Sequence, residues 1–150
     1  MVDVWTLVHA ERTALIDEFQ DLSAEQWVEW SLCEGWNVHD VVAHLVDAAR
    51  TTRLGFVVGL VRARFDFDRQ NANGVERERT GSPEETLTRL RQVASRTSTP
   101  PAPLDSRRVE AVVHGEDIRR PSGLTRWNRH TQRSPPPGAR WPPMGSLCCR

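Results

Sequence analysis

A carboxylate and an imidazole four residues apart are the first candidates for chemistry in this chain. Glu110 and His114 end the run Glu-Ala-Val-Val-His, and on a helix this spacing places both side chains on one face, where they can bind one ion. Asp117 follows three residues later and is placed to accept a hydrogen bond from a ligand imidazole. An ordinary surface pair has the same spacing, so this pattern alone leaves both interpretations open.

A third ligand must come from another part of the chain, and His44 is the candidate. It lies among Val41, Leu45 and Ala48, on the apolar side of a predicted helix that should face the interior. Two histidines and one carboxylate would supply three protein ligands and leave a position for water or substrate, as in catalytic zinc sites. The alternative for His44 is a hydrogen-bonded core histidine.

Cys33 lies in a tryptophan-rich segment and raises the possibility of a nucleophile. Apart from the nearby His39, it has no histidine partner at a diagnostic spacing, so we expect a packed or incidental cysteine. Cys148 and Cys149 are adjacent, and the three cysteines form neither a disulfide framework nor a zinc-ribbon pair.

The elements that must position these residues are helices. Apolar periodicity and capping signals predict helices over about 3–22, 23–26, 37–64, 83–95 and 105–120, with a polar, partly helical stretch at 65–80. Asn37 and Ser82 are favourable N-caps, and Pro121 and Gly123 end the last helix. No stretch alternates with a period of two, so we predict an all-α protein, an antiparallel four-helix bundle.

Composition and termini predict where the protein resides. The 150 residues are 38% hydrophobic and 27% charged, as in soluble globular proteins, and no apolar run approaches the roughly 20 residues of a membrane span. The N-terminus lacks a basic start followed by an apolar stretch, so no secretion signal is predicted and we expect a cytoplasmic protein.

The end of the chain differs in character from the rest. Segment 125–150 is rich in arginine and proline and poor in aliphatic residues, so it is predicted to be disordered. We therefore divide the chain into a metal-binding bundle domain, 1–124, and a tail, 125–150, and hypothesise that a frameshift or a mis-called gene end produced the tail. Incidental composition explains the arginines of the tail better than nucleic-acid binding does. We therefore expect no nucleic-acid or membrane partner.

Three segments, taken in order, resemble a known family. They are 5–12, then 27–45 with its Asp-Val-Val-Ala-His-Leu ending, and 113–121. Together they look like the N-terminal, metal-binding domain of the mycothiol-dependent maleylpyruvate isomerase family, part of the wider DinB-like group of four-helix bundles. The resemblance implies that His44, Glu110 and His114 hold the metal. Three residues of the first segment, His9, Glu11 and Arg12, match the family pattern, with surface pairing as the alternative.

The resemblance also implies a chemistry. Its members are similar to metal-dependent thiol transferases, which implies a divalent metal, expected to be zinc, with mycothiol as cosubstrate and an electrophilic small molecule as substrate. A thiolate favoured by zinc could add to an electron-poor double bond, allow rotation and leave. We therefore predict a metal- and thiol-dependent transferase or isomerase, impaired if its C-terminal part has been lost. The alternatives are a non-catalytic metal-binding bundle acting as a stress or interaction module, and a truncated product without a stable fold.

Overall fold

A computed structural model describes residues 3–124, and all regular elements of this part of the chain are helices. They are α1 (Val4–Phe19), α2 (Ala24–Val28), α3 (Val38–Arg50), α4 (Arg53–Arg62), α5 (Phe67–Glu78), α6 (Pro83–Val93) and α7 (Asp105–Arg119). The all-α prediction is confirmed. The predicted tail, 125–150, lies outside the described residues, and within them no helix has both the length and the apolar character of a membrane span.

Capping residues set where the helices begin. Asn37 and Ser82 each form a capping box, in which the cap side chain accepts from a backbone N–H three residues on. Asp40 and Glu85 complete the two boxes by accepting from the backbone N–H of the cap residue. These local signals explain why the predicted starts of α3 and α6 agree with the structure.

The predicted long helix over 37–64 is wrong, because the chain breaks it at a pair of threonines. Thr51 is extended, and its hydroxyl donates to the carbonyl of Asp47 at 2.8 Å. Thr52 caps α4 by accepting from the backbone N–H of Gly55. The Asp47 carbonyl thus accepts from both the N–H and the hydroxyl of Thr51, and with Thr52 as the next N-cap the pair ends α3 and begins α4. The helical part of the predicted 65–80 stretch is α5.

The core lies between α1, α3, α6 and α7, which correspond to the predicted four-helix bundle. Helix α3 packs against α5, α6, α2 and α7, whereas α1 packs against α7 and α6. Ten of the thirteen residues of α3 are buried, so this helix is central and His44 projects from an interior element. By contrast, α4 has no buried residue.

A buried arginine fixes α7 against α1. Arg119 is fully buried, and it donates through Nη1 to Glu11 Oε1 at 2.8 Å and through Nε to Glu18 Oε2 at 2.6 Å. The helices approach closely at Gly115, where an added Cβ would lie 2.9 Å from Leu15 Cδ2. This contact helps to set the rotation of α7, and therefore which of its side chains face α3.

Of the three α1 residues for which surface pairing was the alternative, Glu11 and Arg12 are buried, so that alternative is wrong for these two. Glu11 and Arg12 are 3% and 5% exposed. Arg12 donates through Nη1 to the carbonyl oxygens of Ala94 and Arg96, at 3.3 and 2.9 Å, beyond the end of α6. These buried charged groups have hydrogen-bond partners far along the chain, which compensate for the loss of water. A local sequence pattern does not reveal such partners.

Candidate metal centre

The structure brings the three predicted ligand residues together. His44 comes from α3, while Glu110 and His114 come from α7, and one ligand atom from each lies within 4.8 Å of the others. His44 Nε2 is 3.6 Å from Glu110 Oε1, and the two imidazole ring centroids are 4.8 Å apart. Glu110 and His114, four residues apart on α7, both face α3, as expected from the helical repeat.

His44 is held as a neutral imidazole. Burial, together with the smaller effects of the nearby His114 and Arg107, lowers its pKa to about 3. A neutral imidazole keeps a lone pair that a cation can use. The alternative interpretation of His44, a hydrogen-bonded core histidine, does not agree with the structure. Its Nδ1 has no partner within residues 3–124, and its Nε2 is beyond hydrogen-bond distance of Glu110.

The two carboxylate oxygens of Glu110 have different neighbours. Oε1 faces His44, whereas Oε2 pairs with Arg107 Nη1 at 2.7 Å. An outer partner of this kind orients a ligand carboxylate and leaves its other oxygen available for an ion. Our sequence interpretation missed Arg107, although its position three residues before Glu110 on one helix is a spacing that brings side chains together.

His114 is buried against two further side chains. Its Nδ1 lies 3.3 Å from Asp117 Oδ2 and 3.6 Å from Cys33 Sγ. Asp117 therefore lies beside the His114 imidazole, and it also accepts a hydrogen bond from the Cys33 thiol at 3.2 Å. Cys33, His114 and Asp117 form a second group whose possible ligand atoms lie within 4.8 Å of one another.

Cys33 is a packed cysteine, as we expected, and the histidine that it contacts is not the one nearest in sequence. Cys33 is 1% exposed and contacts His114. His39 instead pairs through Nε2 with Thr86 Oγ1 at 2.9 Å. The contact between Cys33 and His114 joins residues 81 positions apart, which no local pattern connects.

The loop before α3 is fastened to the site. The backbone N–H of Leu32 donates to the carbonyl of Asp117 at 3.1 Å, and the Ser31 hydroxyl donates to the carbonyl of Trp36 at 2.8 Å. The indole of Trp36 then lies 5.1 Å from the imidazole of His44, centroid to centroid. This tryptophan packs the loop against the bundle and covers one side of the His44 imidazole.

A cavity of about 380 Å³ adjoins the three candidate ligands, all of which line it. Its wall includes apolar side chains of α3, α4 and α7 and of the segment before α7: Ala48, Phe56, Val109 and Pro100. Polar residues complete it: Asp47, Thr51, Gln70, Asn71, Ser106 and Arg107. Small-molecule sites have this volume, and this cavity has more polar than apolar residues in its wall.

The two possible ligand groups differ in their access to the cavity. His44, Glu110 and His114 line it, whereas Cys33 and Asp117 do not. Two imidazoles and one carboxylate form a donor set that suits zinc and leaves a coordination position for an exchangeable partner. The residues present therefore fit a zinc ion at the cavity wall.

Comparison with protein-family models finds one family whose match covers the helices that build this site. The family model for the mycothiol maleylpyruvate isomerase N-terminal domain matches residues 8–129, a span that includes all three candidate ligands. No curated protein and no solved structure matches the chain. The match extends over most of the 150 residues. The chain belongs to the mycothiol maleylpyruvate isomerase N-terminal domain family.

Proposed function

We propose that this protein binds one zinc ion through His44, Glu110 and His114 and uses it to promote addition of a thiol, mycothiol, to a small electrophile. The observation that carries the proposal is the convergence of these side chains from two helices on the wall of one cavity. Family membership supports mycothiol as the thiol. Both reaction partners are small molecules, in keeping with the size of the cavity.

The residues of the chain prepare the site for a cation. The neutral imidazole of His44 needs no deprotonation near neutral pH, because burial keeps its pKa low. Arg107 holds one oxygen of Glu110, and Asp117 lies beside His114 Nδ1. When bound, zinc would lower the pKa of a thiol and so favour the thiolate, which is the reactive form.

The reaction needs no nucleophile from the protein. The thiolate sulfur would form a bond to an electron-poor alkene carbon while the π electrons move toward the electron-withdrawing group. In a transferase a proton then completes the adduct; in an isomerase rotation and expulsion of the same thiolate restore the double bond. Cys33 is not needed for either route, because it is buried and does not line the cavity.

A thiol-consumption assay tests the proposal. The zinc-loaded protein, given mycothiol and an activated alkene, is expected to consume thiol faster than the uncatalysed reaction, and His114→Ala should abolish this difference. His9→Ala is the matched control, because it removes a histidine that belongs to neither ligand group. Equal rates for the wild-type protein and His114→Ala would contradict the proposal.

A non-catalytic metal-binding bundle is the second candidate, and the group of Cys33, His114 and Asp117 favours it. A zinc ion there would have a thiolate ligand and would lie away from the cavity, as in structural sites. Cobalt substitution distinguishes the two positions. Our proposal predicts no sulfur-to-cobalt charge-transfer band in the thiol-free protein, whereas a band that disappears in Cys33→Ser would support the second candidate.

A further inference from the structure

Exposed apolar side chains are concentrated on the outer face of α4 and just after it. Within residues 3–124, twelve large apolar side chains are exposed, and six of them lie in the interval 54–67. The residues of this group that belong to α4 recur at helical spacing and form one stripe, which we call the α4 stripe: Leu54, Val57, Val58 and Val61. A contiguous apolar surface of this kind is typical of an interaction site.

The opposite face of α4 attaches the helix to the rest of the fold. Phe56 packs against Phe67 of α5 with ring centroids 6.0 Å apart, and its carbonyl accepts from Gln70 Nε2 at 3.3 Å. Gly59 lies on the same face, where an added Cβ would be 3.2 Å from Gln70 Nε2. The helix therefore rests on α5 by one face and leaves the α4 stripe, on the other face, largely exposed.

The turn after α4 extends this surface. Arg64 and Phe65 have φ angles of 59° and 65°, in the left-handed region that residues with a Cβ rarely adopt. The backbone N–H of Phe65 donates to the carbonyl of Leu60 at 2.8 Å and closes the turn. The Phe65 side chain is nevertheless 71% exposed, so this unfavourable backbone presents an aromatic ring to solvent instead of burying it. Strain that is kept without a gain in packing indicates a functional surface.

Positive charge borders the α4 stripe. Residues 48–65 include four arginines and no acidic residue. Three of these arginines are exposed and form no ion pair within residues 3–124: Arg53, Arg62 and Arg64. At about 100° per residue, Arg53 and Arg62 lie about 90° to either side of the centre of the stripe. The apolar surface therefore has a positive charge along each of its two edges.

This arrangement is complementary to an anionic lipid surface. An interfacial helix buries an apolar stripe at the boundary between headgroups and acyl chains, while arginines at its edges reach the lipid phosphates. A second copy of the chain fits less well, because two α4 helices packed along their stripes would bring the arginines of both copies together. Residues 48–65 offer no carboxylate to neutralise them.

We propose that α4 docks the protein on the surface of an anionic membrane. The α4 stripe and Phe65 enter the interfacial region of the bilayer, and Arg53 and Arg62 contact the lipid phosphates. For this one face, the proposal replaces the expectation of no membrane partner that we drew from composition. It concerns surface contact alone and uses none of the candidate metal ligands, so this inference and the proposed function can each fail without the other.

Co-sedimentation of the full chain with phosphatidylcholine vesicles, with and without phosphatidylglycerol, tests the proposal. Binding to the anionic vesicles is expected to be at least about tenfold tighter than to the neutral ones and to weaken as NaCl is added. Val61→Asp should weaken it at least about tenfold, because a charge replaces an apolar side chain of the stripe. Val28→Asp adds the same charge at an exposed valine of α2 and should leave binding unchanged within about twofold.

The arginines at the edges of the stripe have their own test. Arg53→Gln and Arg62→Gln are each expected to weaken binding to the anionic vesicles about fivefold, the contribution of one arginine near such a surface. Arg108→Gln removes the same charge from an exposed position of α7 and should retain the wild-type affinity. Equal effects of the three substitutions would overturn the role given to the α4 arginines.

Absence of binding, or equal binding to neutral and anionic vesicles, would overturn the proposal. Anionic binding that Val61→Asp leaves unchanged would locate the contact elsewhere, as in the arginine-rich segment 125–150, and would also overturn it. A wild-type dimer that Val61→Asp converts to a monomer in light scattering would show that a second copy covers α4 instead. If Val61→Asp loses helical circular dichroism, Leu54→Gln, at a position 74% exposed, replaces it with the same expected direction.

Discussion

Arg107 Nη1 holds Glu110 Oε2 at 2.7 Å, and the opposite oxygen of the same carboxylate faces His44 Nε2 at 3.6 Å. The arginine thereby orients a candidate metal ligand without belonging to the ligand group itself. Both side chains of the pair are largely buried, at 10% and 18% exposed, so the contact is less screened than a surface ion pair.

Loss of this arginine should weaken zinc binding. Arg107→Gln is expected to raise the Kd for zinc about tenfold or more, because outer partners of ligand residues contribute at that level. Competition with a chromophoric chelator gives the Kd. Arg108→Gln, on the exposed side of the same helix, should retain the wild-type Kd, and a common Kd for the two variants would argue against an orienting role.

Acid should destabilise the zinc-free protein through His44. Its folded-state pKa of about 3 lies below the ordinary value of 6.5, so the unfolded chain binds a proton that the folded chain does not. The free energy of unfolding should therefore fall as the pH drops from about 6.5 toward 3, by about 1.4 kcal/mol per pH unit from this group.

Urea unfolding at several pH values measures this slope. His44→Gln is expected to show a shallower dependence than the wild-type protein over the same interval. His39 contributes in the same direction, since burial and then the charge of Arg79 lower its pKa, so some slope should persist in His44→Gln. Parallel curves for the two proteins would contradict the account of His44.

The buried arginine between α1 and α7 should be essential for stability. Arg119→Met leaves Glu11 and Glu18 without their buried cation, and we expect it to cost about 3–5 kcal/mol. Thermal or urea unfolding measures this loss. Arg120→Met should cost less than about 1 kcal/mol, because that side chain is 30% exposed and its pairing with Glu116 is solvent-screened. Equal costs would show that the Arg119 network adds little.

The local parts of this fold could be predicted from the sequence. Capping residues such as Asn37 and Ser82 act within one turn, and helical periodicity placed His44 on the buried face of α3. The juxtaposition of Glu110 and His114 depends only on the rise and turn of one helix. These predictions required no knowledge of how the helices pack.

The remaining features depend on tertiary contacts. The helix break at Thr51 and Thr52 was missed because threonine also occurs within helices. Whether its hydroxyl caps a helix end depends on the surrounding structure. Cys33 meets His114 across 81 positions of sequence, and Arg119 meets Glu11 across 108. No periodicity connects such residues, so neither the second ligand group nor the buried arginine network was foreseen.

Zinc content of the purified full chain, determined by elemental analysis, tests the central claim most directly. We expect about one zinc per chain in the wild-type protein, because one set of three protein ligands holds one ion. His44→Ala and Glu110→Ala should lose it while His9→Ala keeps it. A wild-type protein without zinc, or unchanged zinc in His44→Ala and Glu110→Ala, would contradict the account.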